Sequence, residues 1–457
     1  MLATKRKIDQ SGLSEKKSAV PVPGLPARQA AARLLSAVVD KKTSLDGLTD
    51  NEHGHPQYLA LEMRDRMLVR AILGAALRHR ADIERIFKSY LDRPLPQNAL
   101  SLRHLLHVAA AQVLYLDVPD HAAIDLAVTA AKSDPRNQRF SGLVNAILRK
   151  LARNADKERA QSPATENIPA WFSEMLVENY GREKAAKILA AQANEPAIDI
   201  TVKSTPEIWA EKLGGHVLFN GTVRLEHVDG AVSDLEGYQQ GDWWVQDVAA
   251  SLPARLLGNI KDKAVADLCA APGGKTAELA IQGAHVTAID LSENRLKRLQ
   301  RNMERLNLKV ATWAGNLKDF KPQELFDAVL LDAPCSSTGT IRRHPDILWT
   351  KDIRDVEKLA KLQLELLVAS ISLVKIGGLI VFANCSIARQ EGEELVNNIL
   401  SSRNDIKLVP IRDEEVEGRK ELLSNGVLRT TPADLEGQTP LLSGMDGFFA
   451  ARFKRIA

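Results

Sequence analysis

Two cysteines carry the sharpest chemical signal in the chain. Cys335 lies in DAPCSSTG (332–339) and Cys385 in NCS (384–386). Each follows a strongly apolar run, and each precedes Ser or Ser-Ser. A free cysteine is most often a small buried hydrophobe, and that reading is kept for the third one, Cys269. A thiol at the exit of a strand is different. It can face a ligand, act as a nucleophile or hold a proton. Asp332 begins an acid–Pro segment suited to gripping a flat heterocycle, because proline keeps the chain extended and removes a donor. Its carboxylate is positioned to bond the edge of a base. Arg342, Arg343 and His344 follow in IRRHPDILW (341–349), a cationic stretch expected either to hold phosphates or to lie in a solvated loop.

A second signal is DLCAAPGGKTAEL (267–279). Gly273 and Gly274 permit close approach of backbone between a strand and a helix. The helix that starts near Lys275 or Thr276 presents free N–H groups and a positive dipole end, and Lys275 adds a full charge. The loop lacks the G-x-G-x-x-G that a dinucleotide favours, which argues against a nicotinamide oxidoreductase. A cofactor with a carboxylate and no phosphate fits better, such as S-adenosylmethionine. Asp290 ends the next apolar run, 23 positions after Asp267, where a carboxylate can accept from ribose hydroxyls.

These residues need strands to present them. From about 264 onward, short apolar runs alternate with helical stretches: 264–270, 285–290, 309–315, 326–334 and 377–386. That alternation predicts an α/β, doubly wound, Rossmann-like parallel sheet covered on both faces. FFAARFKR (448–455) is read as one more strand, at the closing edge. Residues 25–155 are read as all-helical, because segments 27–39, 62–80, 101–116, 124–133 and 141–154 repeat apolar residues at helical spacing. Arginines recur on their polar faces, as an RNA-binding bundle would require and as an ordinary solvated surface also allows. Residues 156–167 read as a loop and 168–260 as a small α+β connector, with 197–203 as a strand, leaving 261–457 as the catalytic domain. Residues 1–24 read as a disordered basic tail.

Composition narrows the class. Of 457 residues, 45% are apolar and 26% charged, which excludes a wholly disordered or fibrous chain. No run of 18 apolar residues occurs and no apolar signal core follows the basic start, so no membrane span or secretory leader is expected and the location is read as cytoplasmic. Three cysteines without C-x-x-C pairs suit a reducing compartment and give no zinc site. The net charge of +3 is only a weak pointer to a polyanion. Nothing suggests an obligate oligomer, so a monomer is expected.

Four segments together make a resemblance. DLCAAPGGKTAE, DAPCSSTGTIRRHPDILW, NCSIARQEGEELV and DGFFAARFKR (446–455) resemble the successive motifs of the RNA 5-methylcytosine methyltransferases of the Nol1/Nop2/Sun group. WWVQDVAASLPARLL (243–257) resembles the segment before the cofactor motif. FSGLVNAILRKL (140–151) and its helical surroundings resemble the NusB-like RNA-binding domain of the bacterial branch. The resemblance implies S-adenosylmethionine-dependent methylation of cytosine carbon 5, with 16S ribosomal RNA as substrate. A transfer-RNA cytosine, or a non-catalytic RNA-binding assembly factor on the same fold, are the alternatives.

The resemblance also implies roles. Cys385 is the nucleophile, Cys335 assists release of the enzyme–RNA adduct, and Asp332 supports the cytosine and borders the cofactor. Cys269, Ala270, Ala271, Pro272, Gly273, Gly274 and Lys275 form the cofactor loop, Asp290 takes the ribose, and Asn316 reaches the adenine where the group usually has an acid. Asn384 stands for the usual Thr and Ser337 for the usual Gly. No metal is implied.

Overall fold

The computed structural model describes residues 22–161, 168–228 and 230–457. Most of the expected N-terminal tail and half of the 156–167 loop fall outside them. The first part is helical: Leu25–Lys41, Met63–Arg78, Arg80–Tyr90, Leu100–Tyr115, Asp120–Ser133 and Ser141–Arg153. The predicted 62–80 helix is broken at His79, whose ring stacks on Tyr115 at 3.7 Å. Leu100–Tyr115 is the central helix. It is apolar nearly all round, and such a helix must be enclosed by its neighbours; accordingly Leu102, Leu106, Val108 and Ala110 lie in one core with Leu34, Ile72 and Leu148. A short helix, Ala155–Arg159, occupies the start of the stretch read as loop.

The connector opens with a long helix, Ala170–Gln192, kinked at Gly181. Strands β1 (Ile198–Val202), β2 (Gly215–Val217), β3 (Val223–Leu225) and β4 (Trp243–Val245) then form an antiparallel sheet in the order β2-β3-β1-β4. Val248, Leu252, Leu256 and Ile260 already belong to the core of the next layer.

That layer is built on β5 (Ala264–Leu268), β6 (His285–Asp290), β7 (Ala311–Ala314), β8 (Phe326–Asp332), β9 (Val374–Asn384), β10 (Ile406–Leu408), β11 (Leu423–Ser424), β12 (Val427–Arg429) and β13 (Phe449–Arg455). Its order is β11-β12-β13-β9-β8-β5-β6-β7, with β10 also paired to β13. The five strands β5 to β9 are parallel, and β13 runs antiparallel to β9. The chain winds outward from β5 through β6 to β7, then returns to place β8 on the other side of β5. The switch point between β5 and β8 is where such sheets bind ligands, beyond the carboxyl ends of the strands.

The expected closing-edge position of the last strand is corrected: β13 is interior, between β9 and β12. Phe449, Ala450, Ala451 and Phe453 are all fully buried. A continuous apolar run is the mark of a strand covered on both faces, and an edge strand would have alternated.

Among the described residues, no helix is long and apolar enough to cross a membrane. None of their His, Cys, Asp and Glu side chains group in threes or more to hold a metal ion.

Candidate active site

The turn after β5 holds Cys269 and Gly273 in left-handed backbone, at φ 60° and 105°. A side chain at Gly273 would also put its Cβ 2.9 Å from Leu299 Cγ, so glycine is needed there twice over. Gly274 has no such constraint from its neighbours: its Cβ would meet only ordinary contacts with Gln246 and Trp244. The helix Gly274–Ile281 starts at once. Asp290, 2% exposed at the end of β6, accepts from the amides of Ala271 at 3.2 Å and Ser292 at 3.0 Å, and meets Arg295. It thereby ties the second strand end to the glycine loop. Cys269 sits among acids, and burial first, then Asp290, pushes its thiol up to about 12. A thiol held so high is a poor nucleophile.

Asp267 is 1% exposed, and its Oδ2 accepts from Thr276 Oγ1 at 2.6 Å. Its Oδ1 is buried with no partner. Burial pushes this carboxyl up to about 7. An orphaned acidic oxygen beside a glycine turn suits a ligand that brings a cation, and S-adenosylmethionine brings an ammonium and a sulfonium. The donor set therefore fits that cofactor. Asn316 is exposed, and its side-chain oxygen accepts from the Lys318 amide at 3.0 Å, capping the turn Leu317–Asp319.

The register between β8 and β9 sets Asp332 opposite Ala383. Cys335 and Cys385 therefore leave neighbouring strand ends in step, and their sulfurs stand 3.4 Å apart. Both are half-buried. Ser337 brings its hydroxyl to 3.5 Å from Cys385 Sγ and 3.8 Å from Cys335 Sγ. It does so from left-handed backbone, φ 57°, a conformation that glycine adopts more cheaply. The Cys335 thiol, then Ser337, hydrogen-bond to Cys385 and hold its pKa below the ordinary thiol value. The same contact with Cys385, then burial, pushes Cys335 well above it. The contact thus works in opposite directions on the two sulfurs, making Cys385 the easier of the pair to ionise and Cys335 the harder. Lys275 closes the third side. Its Nζ donates to Asp332 Oδ2 at 2.8 Å and lies 4.8 Å from the centre of the Phe448 ring.

Arg342 and Arg343 are corrected on both expectations, phosphate holders and solvated loop, because acids of other segments engage them, whereas the side chain of His344 stays partly exposed. Arg342 bonds Asp247 at 2.9 Å and Asp446 at 3.2 Å; Arg343 bonds the same two acids at 2.6 and 3.1 Å. The four form a charge-balanced strut between connector, cysteine loop and DGFF segment, buried except at Arg343, which is partly exposed. His344 pairs with Asp46 of the helical part at 3.3 Å. The helical part also seats this loop through Asp346, which accepts from the Leu45 amide at 3.0 Å, and through Trp349, whose Nε1 donates to Leu77 O at 3.0 Å. An RRHPDILW string reads as surface because the acids that neutralise it lie about 100 to 300 positions away in sequence.

Two further features were missed. Gly339 and Gly447 touch: a Cβ on Gly339 would fall 2.0 Å from Gly447 O. Gly339 N donates to Cys385 O at 3.0 Å and Gly447 N to Gly339 O at 2.9 Å, so the DGFF segment pins both cysteine loops. The other is Glu391. It was hidden within RQEGEE, a string that looks like a solvated helix start, yet it is fully buried. Its six-residue spacing from Cys385 was the only available signal.

A doubly wound sheet with a glycine turn, an orphaned acid and a thiol pair at its switch point defines an enzyme of the methyltransferase class. The comparisons agree. Residues 254–454 match the family model described as 16S rRNA methyltransferase RsmB/F, and residues 25–153 match the NusB family. The ribosomal RNA small subunit methyltransferase B of Vibrio vulnificus is 34% identical over 400 residues, 84% of this chain and 92% of the relative. The protein of the same name from Cronobacter sakazakii is 31% identical, covering 93% of this chain and 97% of its own. The crystal structure of PH0851 shares the fold with a TM-score of 0.68, at 22% identity over 96% of this chain and all of that one. The chain belongs to the RsmB/F methyltransferase family, in the form that carries an N-terminal NusB-type domain.

Proposed function

We propose that the protein methylates carbon 5 of a cytosine in small-subunit ribosomal RNA, through a covalent bond between Cys385 and the base. The observation that carries this reading is the pair of sulfurs 3.4 Å apart at adjacent strand ends, with Cys385 the easier of the two to ionise. The relatives' printed names supply the substrate, and the helical NusB-type part supplies a second surface for RNA.

Carbon 5 of cytosine is a poor nucleophile. Cys385 as thiolate adds to carbon 6, forming the C–S bond and moving an electron pair toward carbon 5. S-adenosylmethionine supplies the electrophilic methyl group that carbon 5 then takes. Loss of the 5-proton and departure of the Cys385 sulfur as thiolate restore the ring, with Cys335 assisting release. Lys275 and Asp332 form a charged pair at the rim that can bond the polar edge of the base and stabilise charge as the sulfur adds. Cys269 to Lys275 would form the wall for the cofactor, with Asp267 suited to its cationic end and Asp290 to its ribose. The base must leave its stack to reach a half-buried thiol. The reading places the protein in the cytoplasm, where its three free thiols would stay reduced, and takes it to act as a monomer.

The test is transfer of a tritiated methyl group to bacterial RNA followed by mapping of the modified base. Cys385→Ala should abolish both transfer and covalent trapping by 5-fluorocytosine RNA. Full activity of that variant would overturn the assignment.

A further inference from the structure

We infer that Glu391 is a positioning residue that makes the two active-site thiols unequal, by gripping the loop of one cysteine with its carboxylate and the loop of the other with its backbone. The carboxylate accepts from the Ser336 amide at 2.8 Å and also from the Ser336 hydroxyl, and Ser336 directly follows Cys335. Its backbone oxygen accepts from Asn384 Nδ2 at 2.6 Å, and Asn384 directly precedes Cys385. Asn384 in turn accepts from the Ser386 amide at 3.0 Å, so both neighbours of Cys385 are held. Gln363 joins the halves, donating to Glu391 Oε1 at 2.7 Å and accepting from Asn384 at 3.2 Å. Ser336, Thr338 and Ser386 close the ring, their hydroxyl oxygens 3.0 to 3.2 Å apart. Ser336, Asn384, Ser386, Gln363 and Glu391 are all fully buried. With no exposed surface of their own, these five act through the cysteines they hold.

Three donors converge on the two carboxylate oxygens, which suits an anion, although burial raises its pKa from the ordinary value. That anion lies on the Cys335 side and adds to the forces keeping Cys335 protonated. On the sulfur side the facing charges are Lys275 and Asp332, which form a neutral pair. Behind the cluster stand Arg429, paired with Glu393 at 2.6 Å, and Tyr180, whose hydroxyl donates to Ile387 O. Arg429 is shared between Glu393, which it bonds directly, and Glu391, which it meets only through space, so Glu391 is the less well neutralised of the two acids. Its replacement by Gln preserves shape and can satisfy the same partners, with the amide donating to Ser336 Oγ.

The inference rests on Cys385 being the nucleophile, but its readout does not require turnover. The full-length protein is alkylated with iodoacetamide across a pH series, and Cys335 and Cys385 are quantified by peptide mass spectrometry. In the wild type, Cys385 should react at lower pH than Cys335. In Glu391→Gln the Cys335 midpoint should fall toward that of Cys385, and kcat should drop on the order of 10–100-fold with KM for S-adenosylmethionine within about twofold. Glu391→Asp keeps the charge and should retain most of the separation. An unchanged separation in folded Glu391→Gln, or equal narrowing in Glu391→Asp, overturns the proposal. Should Glu391→Gln not fold, Ser336→Ala removes a single oxygen of the tether: slower release of the covalent adduct formed on ordinary cytosine RNA is expected, and unaltered release counts against it. If Cys385→Ala still methylates, the parent reading fails while the alkylation result stands by itself.

Discussion

Replacing Arg342 by Met separates two accounts of the RRHPDILW loop. As a phosphate contact, Arg342 would contribute to RNA affinity and little to folding. In the structure its side chain is 4% exposed, with Asp247 at 3% and Asp446 at 5%. Arg342 and Arg343 together balance those two acids. Arg342→Met leaves one cation for two buried carboxylates. Removing one member of a buried charged set typically costs about 3–5 kcal/mol. Arg343 continues to bond both acids, so about 3 kcal/mol is expected, roughly a hundredfold in the folded-to-unfolded ratio. Urea unfolding followed by tryptophan fluorescence reads this directly. RNA affinity measured over a salt series reads the alternative, because losing one phosphate contact lowers the slope of log K against log salt by about 0.7–0.9. The expected result is a large loss of stability with an unchanged slope. Stability within about 0.5 kcal/mol of wild type together with a reduced slope would refute the strut. The double variant Arg342→Met/Asp446→Asn restores charge balance and should recover part of the loss.

Three other outcomes follow from the same geometry. Cys335→Ala should accumulate a protein–RNA adduct on denaturing gels; no adduct in either this variant or wild type would remove the release role. Asp267 and Glu278 are carboxyls pushed up to about 7 and about 8 by burial, above their unfolded values, so they contribute stability that is full below about pH 4 and lost as pH rises through 7 and 8. Ligand-free protein should thus unfold more easily at pH 8 than at pH 5, and Asp267→Asn should flatten part of that slope; a flat wild-type profile would contradict it. Gly273→Ala, at φ 105° and 2.9 Å from Leu299 Cγ, should cost about 1–3 kcal/mol and abolish the thermal shift given by S-adenosylmethionine, whereas Gly274→Ala should leave the fold's stability nearly unchanged.

The local parts of this protein were legible in the chain. Helical spacing marked the bundle, near-continuous apolar runs marked β5 to β9, and two cysteines at strand exits marked a site whose reaction the motif resemblance implied. These features depend on residues within one turn or one strand of each other, and periodicity records such neighbours faithfully. What only the tertiary structure decided depends on partners distant in sequence. β13 is interior because β12 covers its far side. Arg342 and Arg343 are a strut because Asp247 and Asp446 come from other segments. Glu391 is buried because the helix holding Gln363 and both cysteine loops close around it. Pairwise electrostatics and burial are functions of distance in space, so a charged string reads as solvated until the fold brings its counter-charges to it. The motif resemblance implied which cysteine attacks, but the contact that sets the two thiols apart, sulfur to sulfur at 3.4 Å, exists only where the fold brings their strand ends together.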